Sequence, residues 1–139
     1  MKTYSKFLLA FLAPVVVNAT ANAAGTVIVA KGSDIASLDA ETAKKLFLGR
    51  TPQLSGQNVV LLFQKDGAAR EEFETKVLQR SGADLTAYWS KLIFTGKANA
   101  PVEAGGDADV KTKVNSTPGA VGYISEGAVD GSVKVLCKY

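Results

Sequence analysis

Short apolar runs alternate along the chain with segments in which apolar residues recur every three or four positions. The runs TVIVA (26–30), NVVLLF (58–63), AVGYI (120–124) and VKVLC (133–137) are rich in β-branched residues, which indicates strands. The second run is apolar throughout, as is typical of a strand covered on both faces. This alternation predicts an α/β domain, with a mixed, mostly parallel sheet of about four or five strands flanked by about four helices.

Two helices are predicted before and after the second strand. The first follows Asp39, a natural N-cap, and ends at Gly49. The second follows the turn Asp66-Gly67 and ends near Gly82. Their apolar spacing predicts that the core-facing residues are Ala43, Leu46, Phe47, Phe73, Val77 and Leu78.

The next two helices flank a predicted loop at 97–106. Asp84 is predicted to cap the third helix, and the fourth occupies 107–116 with Val110 and Val114 inward. Helical spacing places Leu85, Tyr88, Trp89, Leu92 and Ile93 on one core-facing stripe of the third helix. Its aromatic residues Tyr88, Trp89 and Phe94 could form a platform for ligand stacking, but their spacing favours packing in the core.

The first 23 residues have the regions of a secretory signal peptide. Lys2 and Lys6 precede an apolar stretch, and Ala21-Asn22-Ala23 is a cleavage site of the A-x-A type. The apolar stretch is too short to span a bilayer. We therefore expect residues 1–23 to be removed, residues 24–139 to form a single domain, and the protein to be exported to a bacterial periplasm.

The charge pattern argues against nucleic acid as a partner. The sequence has 16 Lys and Arg against 13 Asp and Glu, and two of these lysines belong to the predicted signal peptide. The remaining cations are scattered among the acids rather than gathered in a basic block.

The sequence contains no histidine and a single cysteine. A His-assisted nucleophile and a His-ligated zinc site are therefore excluded, and we predict no metal, no cofactor and no catalytic residue. Asp107 and Asp109 are better explained as the cap and first turn of a helix than as a catalytic carboxylate pair. Alternation puts Cys137 on one face with Val133 and Val135, as a small buried residue; pairing between chains is the alternative.

Four segments, in this order, resemble phosphate-type periplasmic substrate-binding proteins of ABC transporters. They are IASLDAETAKKLFLGR, QKDGAAREEF, AYWSKLIFTGK and DADVKTKVNSTPGAVGYI, and the resemblance covers residues 26–136. It implies a periplasmic-binding-protein-like fold of type II, in which two α/β lobes close on an oxyanion. This chain resembles a single lobe, the second one.

The resemblance also implies a binding site. The second-lobe cradle of the family reads Arg-x-Asp-Gly-Ser-Gly-Thr, and its backbone N–H groups at a helix start hold the anion. The corresponding candidate ligand-binding residues of this chain are Gln64, Lys65, Asp66, Gly67, Ala68, Ala69 and Arg70. Asp66 and Gly67 match the family, whereas the arginine and both hydroxyl positions are changed.

Two interpretations of this turn compete. Asp66 could simply cap the helix, and Glu71 and Glu72 would complement the helix dipole and repel an anion. Alternatively, Lys65 or Arg70 supplies a cation, because a guanidinium holds oxyanions in a bidentate way. Two lost hydroxyl groups cost about 1.5–3 kcal/mol each. We therefore expect phosphate binding no tighter than about millimolar.

Two functions follow from these patterns. The first is a non-enzymatic module that binds phosphate or another small oxyanion, with a membrane permease or sensor as its partner, or as a homodimer that rebuilds a two-lobed cleft. The second is an interaction or sensory module that docks on another periplasmic or membrane protein.

Overall fold

The computed structural model describes residues 25–139. The predicted signal peptide and its cleavage before Ala24 lie outside the described residues.

Seven strands and four α-helices follow one another along the described chain. Their bounds are β1 Gly25–Ala30, α1 Ala40–Phe47, β2 Gln53–Leu54, β3 Gln57–Asn58, β4 Val60–Gln64, α2 Ala68–Phe73, α3 Gly82–Phe94, β5 Val102–Ala104, α4 Asp107–Ser116, β6 Ala120–Ser125 and β7 Val133–Lys138. A π-helical segment, Glu74–Leu78, continues α2, and a 3₁₀ turn, Glu126–Ala128, follows β6. None of the helices between residues 25 and 139 is long and apolar enough to cross a membrane.

Five of the strands form one sheet in the order β5-β4-β6-β1-β7. Strand β4 pairs in parallel with β5 and β6, whereas β1 pairs antiparallel with β6 and β7. Four of the five strands therefore point the same way, which confirms the predicted mixed, mostly parallel sheet flanked by four helices.

Alternate side chains of the sheet enter two separate cores. One face packs under α1, α2 and α3, and its buried residues include Val27, Phe63 and Tyr123. The other face packs under α4, where Ile28 and Leu62 meet smaller residues. The large buried aromatic rings, namely Phe47, Phe63, Phe73, Trp89 and Tyr123, all belong to this first core. The predicted inward residues of α1, α2 and α4 are all buried in these two cores.

One strand boundary and one additional strand differ from the prediction. Strand β4 begins at Val60, because Asn58 belongs to a short hairpin with Gln53 that turns through Ser55 and Gly56. Strand β5 lies inside the predicted loop at 97–106. Its three residues carry a weak local signal, and their pairing with β4 holds them extended.

Of the N-cap residues predicted for the helices, some are confirmed and others are wrong. Asp39 caps α1 as predicted, accepting a hydrogen bond from the backbone N–H of Thr42 at 2.7 Å. The predicted cap at Asp84 is wrong, because α3 starts one turn earlier with Ser81 as N-cap. Asp107 is the first residue of α4 rather than its cap, which is Gly106.

The third helix buries only part of its predicted stripe. Leu85 and Trp89 are buried, and Tyr88 and Leu92 pack against the core at its margin. Ile93 is 41% exposed, so its predicted core position is wrong. The core interpretation also fails for Phe94, which is 93% exposed at the end of the helix.

A β-bulge changes the predicted environment of Cys137. Val27 pairs with Cys137 and Ile28 with Val135, so Leu136 is the extra residue and the alternation breaks there. Val135 consequently packs with the α4 core, whereas Cys137 joins the core under α1 to α3. The thiol is buried as predicted, but not on the predicted face, and burial raises its pKa.

Candidate functional site

The carboxyl ends of β4, β5 and β6 meet at one edge of the sheet. Helix α2 leaves this edge after β4 toward one face, and α4 leaves it after β5 toward the other. An edge where the helices that follow two adjacent strands depart to opposite faces is the usual ligand site of open α/β sheets. Residues 64–70, the predicted cradle, lie at this edge, which we call the carboxyl edge.

Gln64 ends β4 and is turned into the protein. Its side chain is 3% exposed, and Nε2 donates to Asp107 Oδ1 at 2.7 Å and to the Tyr123 carbonyl oxygen at 3.0 Å. The backbone N–H of Gln64 donates to the hydroxyl of Tyr123 at 2.9 Å. Gln64 therefore links β4 to β6 and α4, and its side-chain amide nitrogen is already hydrogen-bonded within the protein.

Asp107 and Asp109 do not form a carboxylate pair. Asp107 accepts from Gln64 and, at 3.3 Å, from the backbone N–H of Ser125. Asp109 accepts from Lys113 at 2.7 Å and from the backbone N–H of Gly105 at 2.8 Å, and the hydrogen bond from Lys113 lowers its pKa. Each carboxylate is engaged separately, which agrees with the structural interpretation of this pair.

Helix α2 begins without a side-chain cap from the described residues. Its N-cap is Gly67, with φ 99° and ψ 176°, a conformation that favours glycine. The expectation that Asp66 caps the helix is therefore wrong; Asp66 is exposed beside the turn. Because no side chain covers the helix start, the backbone N–H groups of 68–70 remain available to an anion.

Arg70 is committed to the protein rather than to a ligand. Its Nε donates to Glu74 Oε1 at 2.8 Å, and one terminal nitrogen donates to the carbonyl oxygens of Gln64 at 2.9 Å and Lys65 at 3.1 Å. The Arg70 side chain is 25% exposed and that of Glu74 only 7%. Arg70 thus fastens α2 to the end of β4, and these contacts disfavour the interpretation in which its guanidinium holds an anion in a bidentate way.

Lys65 is the cation that remains at the cradle. Its side chain is exposed, and it takes part in none of the ion pairs between described residues. Its backbone N–H donates to the carbonyl oxygen of Ala104 at 2.8 Å, which fixes its position at the edge. Asp66 and Glu71 oppose its charge, whereas the third acid near the helix start, Glu72, is paired with Lys76 at 2.8 Å.

Two tyrosines form an aromatic base under the cradle that the sequence patterns did not indicate. Tyr123 stacks on Phe73 with ring centroids 4.0 Å apart, and Tyr139 meets Phe73 edge-on at 5.4 Å. Burial raises the pKa of both hydroxyl groups. Among residues 25–139, no group of three or more His, Cys, Asp or Glu side chains is arranged to hold a metal ion.

Sequence comparison gives no relative, because neither a family model nor a curated protein matches the chain. Solved structures do match. The putative phosphate ABC transporter substrate-binding protein of Clostridium perfringens, solved with bound phosphate, has a TM-score of 0.63 over 82% of this chain at 19% identity. The ABC-type phosphate transport receptor of Vibrio cholerae has a TM-score of 0.63 over 81% at 21% identity. PstS of Borrelia burgdorferi has a TM-score of 0.61 over 83% at 12% identity.

This chain shares its fold with one part of phosphate ABC transporter substrate-binding proteins. It spans less than half of the three matched chains, namely 45%, 44% and 47% of their lengths in the same order. This coverage agrees with the predicted likeness to a single lobe. At such low identity the likeness concerns the fold, and the bound phosphate is a property of the Clostridium perfringens protein.

Proposed function

We propose that this chain is an exported, non-enzymatic binding module that takes phosphate or another small oxyanion, weakly, at the start of α2. The observation that carries the proposal is the uncapped helix start after Gly67, next to the exposed Lys65. A helix start of this kind attracts anions through its N–H groups and its dipole. The shared fold supports the proposal, because the Clostridium perfringens protein holds phosphate.

The expected affinity is low for two physical reasons. Ala68 and Arg70 stand at the two hydroxyl positions of the family cradle and offer no hydroxyl group, and Arg70 is paired with Glu74. The acids around the helix start repel an anion, so Lys65 and the backbone amides act against them. We propose a dissociation constant no better than about millimolar, near −4 kcal/mol.

The remaining parts of the proposal concern export and partners. Residues 1–23 act as a cleaved signal peptide that delivers residues 24–139 to the periplasm. A single lobe contacts an anion from one side only, so a second protein surface is needed to exclude water from the other side. We propose a membrane permease or sensor, or a second copy of the chain in a homodimer, as the source of that surface.

The test is a titration of the mature protein with phosphate, sulfate and acetate, followed by backbone amide chemical shifts. We expect the largest shifts at residues 67–70 at millimolar phosphate, and their loss in Lys65→Ala. Lys91→Ala, which removes an exposed lysine from α3, is the matched control and should bind like wild type. Absence of shifts at 67–70 would overturn the proposal. Micromolar phosphate affinity in a monomer would contradict the proposed weak binding. Micromolar affinity found only in a dimer would support a cleft rebuilt by two copies of the chain.

An interaction module is the second candidate, and the end of α3 favours it. Phe94 is 93% exposed and Ile93 is 41% exposed, an unusual placement for two large apolar residues. A photo-crosslinking residue at position 94 should give one discrete adduct in the cell envelope if this surface docks on a protein. The same residue at exposed Thr86 on the same helix is the control. Equal labelling from both positions would argue against a docking role.

A further inference from the structure

Three cations from three separate segments converge on one groove, far from the cradle. The groove has a volume of about 330 Å³ and is lined by Lys44 of α1, Arg50 after α1, and Arg80 between the π-helical segment and α3. Asp84 is the single acid in this lining, and Leu48 and Leu78 are buried in its floor. We call this site the basic groove.

The cationic groups in the basic groove are held mainly by neutral partners. Lys44 Nζ donates to Gln79 Oε1 at 2.9 Å, a contact that orients the ammonium group without cancelling its charge. Gln79 has φ 55° and ψ 27°, the left-handed conformation that a non-glycine residue seldom adopts. This conformation ends the π-helical segment and brings the Gln79 amide to the groove.

Arg80 is oriented by an aromatic ring as well as by an acid. Its guanidinium carbon lies 4.7 Å from the centroid of the Tyr88 ring, and its terminal nitrogen lies 3.2 Å from Asp84 Oδ2. Tyr88 is itself fixed, because its hydroxyl donates to the Leu48 carbonyl oxygen at 2.6 Å. The orientation of the planar guanidinium is therefore fixed before a ligand binds, and some of its N–H donors are not used by Asp84.

Arg50 is the third cation of the basic groove. It is exposed and takes part in none of the ion pairs between described residues. Three cations against one acid leave the groove with two uncompensated positive charges, although the whole sequence has only 16 cations against 13 acids. A concave surface of one sign concentrates ions of the opposite sign.

Helix dipoles do not account for this cluster. Lys44 lies in the last turn of α1, where a cation complements the helix C-terminus. Arg50 and Arg80 both lie beyond the ends of the preceding helical segments, and the dipole effect falls off within the last turn. The helix ends explain Lys44 but not the convergence of all three cations around one cavity, and this convergence favours an anionic occupant.

We propose that the basic groove is a second anion-binding site, which takes a small molecule with two or more clustered phosphate or sulfate groups. Its volume is at the lower end for ligand pockets and exceeds the needs of a single oxyanion. Its charged rim suits a polar ligand with little apolar surface. Arginine forks bind such oxyanions in a bidentate way, and Lys44 acts as a point charge.

The proposed second site is independent of the cradle. Helix α2 starts at the cradle, and the π-helical segment that continues it ends at the groove, which separates the two by on the order of 15 Å. Failure of one site to bind an anion therefore leaves the other unaffected, and variants can address each alone.

The test uses tripolyphosphate as the probe, with binding followed by calorimetry and by backbone amide shifts at low salt. We expect shifts around residues 44–50 and 78–84, and binding about tenfold or more weaker in Arg50→Ala and in Arg80→Ala, since a hydrogen bond to a charged group is lost in each. If Arg80→Ala folds poorly, Arg50→Ala alone tests the proposal, because Arg50 is exposed and has no ion pair among residues 25–139. Inorganic phosphate and acetate should bind the groove at least about tenfold more weakly than tripolyphosphate.

Two control variants make the test specific. Lys91→Ala removes an exposed cation outside the groove and should leave tripolyphosphate affinity within about twofold of wild type. In Lys65→Ala, which removes the cation of the cradle, the shifts around residues 44–50 and 78–84 should persist. An equal loss in Lys91→Ala and Arg50→Ala would show general charge attraction and overturn the proposal. Shifts confined to residues 65–70 would also overturn it, because the probe would then occupy the cradle alone.

Discussion

The carboxyl edge and the basic groove treat their arginines in opposite ways. At the edge, Arg70 is paired with the nearly buried Glu74 and with two backbone carbonyl groups, so its charge serves the fold. At the groove, Arg50 is unpaired among the described residues, and Arg80 lies over a neutral ring with one exposed acid beside it. An arginine in the segment that resembles a binding cradle can thus be structural, while cations elsewhere in the chain stay accessible.

The aromatic core that supports both regions gives the largest expected effect. Trp89 is buried against Phe63, with ring centroids 6.0 Å apart, and holds α3 to β4. Trp89→Ala should lower the free energy of unfolding by about 3–5 kcal/mol in urea denaturation. Ile93→Ala, on the same helix and 41% exposed, is the control and should change stability by less than about 1 kcal/mol. Equal effects would mean that Trp89 does not carry the core.

The ion pair at the carboxyl edge should come next. Removing one partner of a buried pair costs about 3–5 kcal/mol, and partial exposure of Arg70 reduces this, so Glu74→Ala should cost about 2–3 kcal/mol of unfolding free energy. Glu74→Gln keeps the shape and one hydrogen bond and should cost less. If Glu74→Ala leaves the urea midpoint unchanged, the Arg70 charge is not structural and the contrast between the regions disappears.

The corresponding change at the groove should matter far less for stability. Asp84 is largely exposed, and exposed pairs contribute about 0–1 kcal/mol, so Arg80→Ala should change the unfolding free energy by about 1 kcal/mol or less. The measurement is the same urea denaturation, with Arg80→Lys as the variant that keeps the charge. A cost as large as that of Glu74→Ala would assign Arg80 a structural role like that of Arg70.

The smallest effect at neutral pH concerns the tyrosines of the carboxyl edge. Burial raises the folded-state pKa of Tyr123 and Tyr139 above the unfolded value of about 10. Their contribution is therefore fully present below about pH 10 and is lost as pH rises above that value. Tyr139→Phe should make the alkaline loss of stability shallower and leave stability at pH 7 nearly unchanged. Identical pH profiles for Tyr139→Phe and wild type would contradict this assignment.

Much of the fold could be predicted because each long element carries its own pattern. The four predicted strands and four predicted helices all exist, and Asp39 caps α1 as its sequence context indicates. The three-residue strand β5 was missed, since only its pairing with β4 makes it a strand. The bulge at Leu136 was missed for a related reason, because a register shift arises between strands and not within one.

The place of the cradle segment in the fold was predictable, but the orientation of its side chains was not. The cradle segment lies at the start of α2, as the resemblance implied. The inward turn of Arg70 had a sequence signal, because Glu74 follows it by four residues on a helix. The bonds from Gln64 to Asp107 and Tyr123 join residues far apart in the chain, so no local pattern could reveal them. The same holds for the basic groove, whose cations come from segments that only the tertiary structure brings together.

The pairing of β1 sets the order in which this sheet can be completed. Strand β1 lies inside the sheet, and both of its neighbours, β6 and β7, come from the last part of the described chain. Gly25 exchanges backbone hydrogen bonds with Tyr139, residues more than a hundred positions apart. Contacts of such long sequence separation form late and slow the folding of small domains. Strand β1 therefore cannot pair in the sheet until residues 120–138 are available. A chain that crosses a membrane as an extended polypeptide would complete its sheet only after nearly all of it had crossed.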